Sequence, residues 1–402
     1  MKYMTFLGKN NYYKTEYCWD DHTSIETDFV QICVLKYHSE IDKMFVFTTK
    51  ETLNNNYQKL LDRMKEFDIH VDVETVLLES LESYEEILDK MNQLDLENQS
   101  IIMDVTNCFR DQPLKIMYSI EYIEDVFGIS LEHIYYGKYS FESQTSEMME
   151  LIDFYNESKI SESLRQFEQT LKLRKVETIH EKDEHVLKML KFMENLNFYL
   201  EVADFDMCLD CIYNIVDEAV YLSKQDRWLF IHPYINSILR KFKDIKRNQK
   251  EIDNMIILIN ILIQHHYVQV AITFIYHYYE EWIKEKIGGN SRKFIHWIAD
   301  SNNGFIRKFP DYYNQLTSQQ KYNFIKNKYA KNRYNKTSLS DDEMMVYLPY
   351  LVDEYRKCID KFAGTIRNHM NHGYPFDEID PLPNVIKMTQ QMNKFLRKLY
   401  EL

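Results

Sequence analysis

At 402 residues the chain is longer than one typical domain, and its 45% hydrophobic content is too high for a disordered protein. Only 8 Gly and 7 Pro are present, which disfavours turn-rich β architecture. A net charge of −14 excludes a basic nucleic-acid coat protein, although such an average can hide a local patch. No run of 18 apolar residues occurs, and the chain opens on Met1-Lys-Tyr-Met-Thr-Phe-Leu-Gly, a short strand rather than an Arg-rich leader. The expectation is a soluble cytoplasmic protein with no membrane partner. Cys208 and Cys211 form the only CxxC, and no second pair completes a zinc set, so the pair reads as two half-buried helix cysteines.

In chain order, Tyr3–Leu7 is a short apolar strand ending at Gly8. Gln31–Tyr37 (QICVLKY) reads as a second strand and Lys43–Thr49 as a third. A helix pattern over Glu51–Phe67 follows, then a strand at Ile69–Leu78 and a helix at Ser83–Leu94. Ser100–Val105 has the apolar run of a buried strand, Gln112–Val126 is helical, and His133–Tyr139 is a further strand. Strands alternating with helices of this length predict a mostly parallel, Rossmann-like sheet. Ligands on such sheets sit beyond the carboxyl ends of the strands, where Gly8–Asn11 and Asp104–Arg110 fall. No Walker loop, GxGxxG, HExxH or GxSxG is present, so the usual nucleotide cradles are missing.

Beyond about Ser158 the strand signals fade. Val186–Ala203, Cys208–Ser223, Glu251–Ile287 and Val352–Met370 carry apolar residues at helical spacing. The fold class is therefore α/β plus all-α, with a sheet domain over 1–155, a connecting helix or linker over 156–180, and a helical domain over 181–402.

Between Lys284 and Lys336 stand twelve Lys and Arg against three acids, a net +9 inside a chain of −14. Phe and Tyr are interleaved with Arg292, Lys293, Lys326, Lys328 and Arg333. Cations neutralise phosphates and aromatic faces accept unstacked bases, so the pattern suits single-stranded RNA. A solvated helix face with its aromatics in the core has the same composition.

Arg367-Asn-His-Met-Asn-His372 ends the last of these amphipathic helices, just before Gly373. Histidine shuttles protons near neutral pH, and the arginine fork stabilises a phosphoryl transition state. Residues five apart on a helix differ by about 140° in direction. Arg367 and His372 thus need either a helix end between them or a site assembled across two chains, which predicts a homodimer. Arg and His are also what the dipole favours at any helix C-terminus.

Three segments together resemble a known family. Ile101-Ile-Met-Asp-Val-Thr-Asn-Cys-Phe-Arg-Asp-Gln-Pro113 resembles the D-x-T-H-G-F-R-x-x-P motif of the CRISPR-associated CARF domains. Phe6-Leu-Gly-Lys-Asn-Asn-Tyr-Tyr-Lys-Thr-Glu-Tyr17 resembles that family's first strand and loop, and Arg367–His372 looks like the R-polar-x3-H signature of HEPN ribonucleases, with Asn368 in the polar place. Asn107 and Cys108 depart from the family's His and Gly. The resemblance implies a type III CRISPR defence enzyme: a metal-independent endoribonuclease that cleaves single-stranded RNA, needs no catalytic cofactor and does not act on DNA. Its implied allosteric activator is a cyclic oligoadenylate, a tetra-adenylate ring being favoured over a hexa-adenylate. Its implied catalytic residues are Arg367, His372 and Asn368. The implied ligand contacts are Gly8, Lys9, Asn10, Asn11, Asp104, Thr106, Asn107 and Arg110. Alternatives are a cyclic-oligoadenylate sensor, or a ring nuclease, with an inactive helical dimerisation domain.

Overall fold

The computed structural model describes residues 1–19, 23–80, 83–108, 112–173, 183–286, 315–321, 323 and 382–401. These form two compact units, the first built on Met1–Glu162 and the second on residues from Ser163 onward.

The first unit is an eight-stranded mixed sheet with strand order β3-β2-β8-β7-β6-β1-β4-β5. The strands are β1 (Lys2–Phe6), β2 (Thr15–Cys18), β3 (Ser24–Thr27), β4 (Lys43–Thr49), β5 (Asp72–Leu78), β6 (Ser100–Asp104), β7 (Ser130–Tyr139) and β8 (Thr145–Glu150). The neighbours β1–β4, β1–β6, β4–β5, β6–β7 and β2–β8 are parallel, whereas β7–β8 and β2–β3 are antiparallel. A parallel sheet covered on both faces needs near-continuous apolar strands, which KYMTF, KMFVFTT and SIIMD supply. One face packs Met4, Phe6, Phe45 and Met103 against α4 (Tyr84–Met91) and α5 (Gln112–Phe127). The other packs Tyr3, Met44, Val46 and Ile102 against α1 (Val30–Tyr37) and α3 (Gln58–Glu66).

Two expectations needed correction. Gln31–Tyr37 lies in helix α1, not a strand. Val30 to Leu35 are all buried, so no polar face breaks the apolar run, and a short continuous run reads alike as a buried strand or a buried helix. The short strands β2, β3 and β8 were not anticipated. They are polar, partly exposed and defined by their partners more than by their own composition. The predicted helix Glu51–Phe67 contains a π turn at Leu53–Tyr57, between α2 (Lys50–Thr52) and α3.

The second unit is helical among the described residues. It takes up the end of α6 (Ile152–Thr170), then α7 (Glu184–Glu201), α8 (Phe205–Leu222), α9 (His232–Phe242), α10 (Glu251–Gln264), α11 (Val268–Lys286) and a last described helix, α12 (Leu382–Glu401). The sequence run Glu251–Ile287 is two helices, because His266 adopts a left-handed φ of 63° and ends α10. Cys208 and Cys211 are buried on α8 rather than half-buried, and burial pushes the Cys211 thiol up to about 11. Among the described residues no cluster of His, Cys, Asp and Glu is arranged to hold a metal. No helix among them is long and apolar enough to cross a membrane.

Candidate functional site

Strands β1 and β6 are adjacent and parallel, with Thr5 opposite Asp104, so the loops that leave them emerge at the same edge of the sheet. From β1 and β6 the order runs outward to β4 and β5 on one side and to β7 on the other, which makes this pair the switch point where open α/β sheets bind ligands. Four strands' width separates β1 from β2, so Leu7–Lys14 must pass over the carboxyl ends of β6 and β7. The segment is a strap across the edge.

That strap is held by its own residues. The Gly8 amide donates to the Tyr12 hydroxyl at 2.6 Å, and that hydroxyl donates back to the Gly8 carbonyl at 3.2 Å. Asn56, buried in the π turn, donates its amide to the carbonyls of Gly8 (2.8 Å) and Asn10 (2.9 Å). At the far end Thr15 donates to the Gln144 carbonyl at 2.9 Å. Glycine at position 8 is a matter of space: a Cβ there would meet the Tyr12 hydroxyl at 3.2 Å. The side chains of Lys9, Asn10 and Asn11 are exposed along the strap, and Lys9 makes no ion pair among the described residues.

Asp104 lies beneath. Its side chain is fully buried and accepts from the Thr5 hydroxyl (2.8 Å), the Tyr3 hydroxyl (3.5 Å) and the Thr106 backbone amide (2.9 Å). Gln31 of α1 completes the knot by donating to the Thr5 hydroxyl at 3.0 Å. Burial raises the Asp104 carboxyl above the usual carboxylate range, against the pull of its donors from Thr106, Thr5 and Tyr3. The Asp104 carboxylate, expected as a ligand contact, is fully buried, with its oxygens facing internal donors. Its role is to fix the turn that follows it.

Thr106 and Asn107 stand on that turn. The Thr106 hydroxyl accepts from the Gly137 amide of β7 at 2.8 Å, and a Cβ at Gly137 would meet Thr106 Cγ2 at 3.1 Å, so β6 and β7 are closely fitted there. Asn107 lies beside Gly8, with its backbone carbonyl 3.8 Å from where a Gly8 Cβ would be. The Asn107 Nδ2 is buried and has no hydrogen-bond partner among the described residues. An unmet buried donor costs about 1–3 kcal/mol, so it favours any acceptor delivered to it. Helix α5 is described from Gln112, a few residues beyond this turn, and its first described turn carries no acidic residue.

Gly8, Thr106 and Asn107 are thus brought together under the strap that carries Lys9, Asn10 and Asn11. Arg110 lies outside the described residues, as do the expected catalytic residues Arg367, Asn368 and His372 and the expected RNA contacts Arg292, Lys293, Lys326, Lys328 and Arg333. Sequence reading missed Asn56, Tyr12 and Gly137. The one local signal for Asn56 was Asn54-Asn-Asn56 inside a helical pattern, three poor helix formers in a row.

The described residues of this edge offer hydrogen-bond donors and an exposed lysine, with the motif's carboxylate sealed below. That is chemistry for binding an anion with many acceptors. No protein-family model matches the chain, and no curated protein matches it.

Proposed function

We propose that the sheet unit is a sensor for a cyclic oligoadenylate and that the ligand activates a metal-independent endoribonuclease in the helical part of a homodimer. The observation that carries the reading is the meeting of Gly8 and Asn107: two segments about a hundred residues apart in sequence, each resembling a CARF motif, lie side by side at the switch point of the sheet. Phosphates of the ligand take the α5 N-terminus, Lys9 and Arg110, and adenine or phosphate acceptors take the Asn107 amide.

Cleavage rests on the sequence motif Arg367–His372. The substrate's 2′-hydroxyl attacks the adjacent phosphorus as a base removes its proton, the 5′-oxygen leaves with a proton from an acid, and the products are a 2′,3′-cyclic phosphate and a 5′-hydroxyl. His372 serves as general acid or base, Arg367 stabilises the pentavalent phosphorus, and Asn368 orients them. The basic segment with Arg292, Lys293, Lys326, Lys328 and Arg333 guides the single strand. The burial of Asp104 favours binding over ligand cleavage at the sheet edge.

The test is a pair of measurements on the full chain. Cyclic tetra-adenylate and hexa-adenylate are added separately and the melting temperature followed, because a ligand of the native state raises it by mass action. Cleavage of labelled single-stranded RNA is then measured with and without the stabilising ring, for wild type, Arg367→Ala and His372→Ala. Activation of wild type with loss in both variants is expected. No thermal shift with either ring removes the sensor reading, and unchanged cleavage in both variants removes the catalytic assignment.

A further inference from the structure

The helical unit contains a cavity of about 430 Å³ that the proposed function does not use. This lies within the roughly 300–1,000 Å³ range of small-molecule sites. Its walls come from the segment after α6, the end of α7, and the start of α11 with the turn before it.

Three features set the chemistry of this cavity. Glu201, the last residue of α7, places a carboxylate at the negative end of a helix that has no basic residue in its last turn, and it makes no ion pair among the described residues. The second is the turn after α10, which brings Tyr267 onto the cavity wall within three residues of the helix end. Lys241 donates to the Glu168 carbonyl at the end of α6 and lies 2.8 Å from His265 at the end of α10, and His265 binds the Gln169 carbonyl at 2.8 Å, so these two helix ends are compensated. The third is the Tyr267 hydroxyl, a lining group whose oxygen is buried with no partner among the described residues. Burial and the nearby Glu201 charge push that hydroxyl up to about 12, so it remains neutral and can accept a hydrogen bond at physiological pH.

The rest of the lining is apolar where it is deepest: Leu200 is fully buried, with Leu173, Ala203 and Val270 around it. Asn197 is not available to a ligand, since it holds the Leu173 amide at 2.9 Å and also binds the Leu171 carbonyl. Lys172, the only cation of the lining among the described residues, is exposed. Negative potential, an unmet acceptor and a short apolar wall coincide.

We propose that this cavity binds a small aliphatic amine, with its ammonium between Glu201 and the Tyr267 hydroxyl at the ends of α7 and α10, and its methylenes against Leu173, Leu200 and Val270. The ammonium is a three-donor group, matched to a carboxylate and a hydroxyl that lack donors.

The experiment titrates n-butylamine into the full chain by calorimetry, at fixed ionic strength. The variants are Glu201→Gln, Tyr267→Phe, Val270→Trp to fill the cavity, and Glu97→Gln at an exposed position in the other unit. One saturable site per chain is expected. Glu201→Gln weakens it about tenfold or more, the loss of one charged hydrogen bond. Tyr267→Phe weakens it severalfold, Val270→Trp abolishes it, and Glu97→Gln leaves it unchanged. Butyrate, with a similar stem and the opposite charge, should not bind. The proposal is overturned if no saturable binding occurs or if Glu201→Gln binds as wild type does. Equal weakening by Glu97→Gln also overturns it, because the amine is then only a counter-ion of an acidic protein, and so does equal binding of butyrate. Thermal melting of each variant shows that it is folded, so Val270→Trp does not bear the test alone.

Discussion

Two aspartates, one in each unit, accept similar hydrogen bonds and respond in opposite ways. Asp104 ends β6 and takes the Thr106 amide and two hydroxyls; Asp183 precedes α7 and takes the His185 amide at 2.9 Å, the Val186 amide and the Trp228 indole at 2.8 Å. Burial raises the Asp104 carboxyl, and its donors do not offset it. Burial also pushes Asp183 upward, but its donors from Trp228, His185 and Val186 outweigh that and hold it below the usual range. The difference is solvent. Asp183 is partly exposed, and although desolvation is the largest single contribution there, its donors together outweigh it, whereas Asp104 has no exposed surface at all. A carboxylate with three donors at a helix start stabilises the fold as an anion only if water still reaches it. Where water does not, the same arrangement serves geometry, and at β6 it fixes the turn that presents Thr106 and Asn107.

The largest effect is expected at Trp228→Ala. This removes a fully buried indole and strips Asp183 of its side-chain donor, for about 4 kcal/mol. The urea midpoint measures it. A cost below about 1 kcal/mol would mean that neither the packing of Trp228 nor its bond to Asp183 contributes appreciably to stability.

Asp104→Ala should cost about 2–3 kcal/mol, because the Thr106 amide and the Thr5 hydroxyl lose a buried acceptor. Its pH behaviour separates it from Asp183. A raised folded value means that the folded state binds the proton more tightly than the unfolded chain, whose value is about 3.9. Stability therefore falls as pH rises from about 3.9 through the raised folded value. At Asp183 the sign reverses: its contribution is present above about 3.9 and is lost as pH falls through the lowered folded value. Urea midpoints against pH for Asp104→Asn and Asp183→Asn test the pair, and slopes changing in the same direction would contradict the contrast.

Asn56→Ala deletes both bonds that pin the strap and should cost about 1–2 kcal/mol, with faster hydrogen exchange at the strap amides. Unchanged exchange would show that the Tyr12 clamp suffices. The smallest effect belongs to His133, whose ring binds Glu150 at 2.9 Å; this hydrogen bond raises the imidazole against the effect of burial. The stabilisation is complete below about 6.5 and disappears as pH rises through the raised folded value. His133→Gln should flatten that slope by under about 1 kcal/mol, as for a partly exposed pair. A slope that survives the substitution would remove the assignment to His133.

Much of the candidate site was legible in the order of residues. Alternating strands and helices, with loops after Leu7 and after Val105, place two segments at the carboxyl ends of parallel strands, and β1 and β6 meet there. The helices among the described residues of the second half followed from spacing, because a 3.6-residue period is a local property of the chain. What a side chain faces is not local. Gln31 was read inside a strand but sits in a helix, where it donates to Thr5 under the site. Asp104 lies in the segment that resembles the ligand motif, and its carboxylate is enclosed by Tyr3 and Thr5, about a hundred residues earlier in the chain. Asn56 reaches Gly8 and Asn10 because a π turn, which periodicity does not reveal, rotates it toward the strap. The sequence by itself determined which elements form and where their loops emerge, since backbone propensity and hydrophobic period act over a few residues. Only the tertiary structure decided which polar groups remain open for a ligand, because burial and hydrogen-bond partners come from segments far apart along the chain.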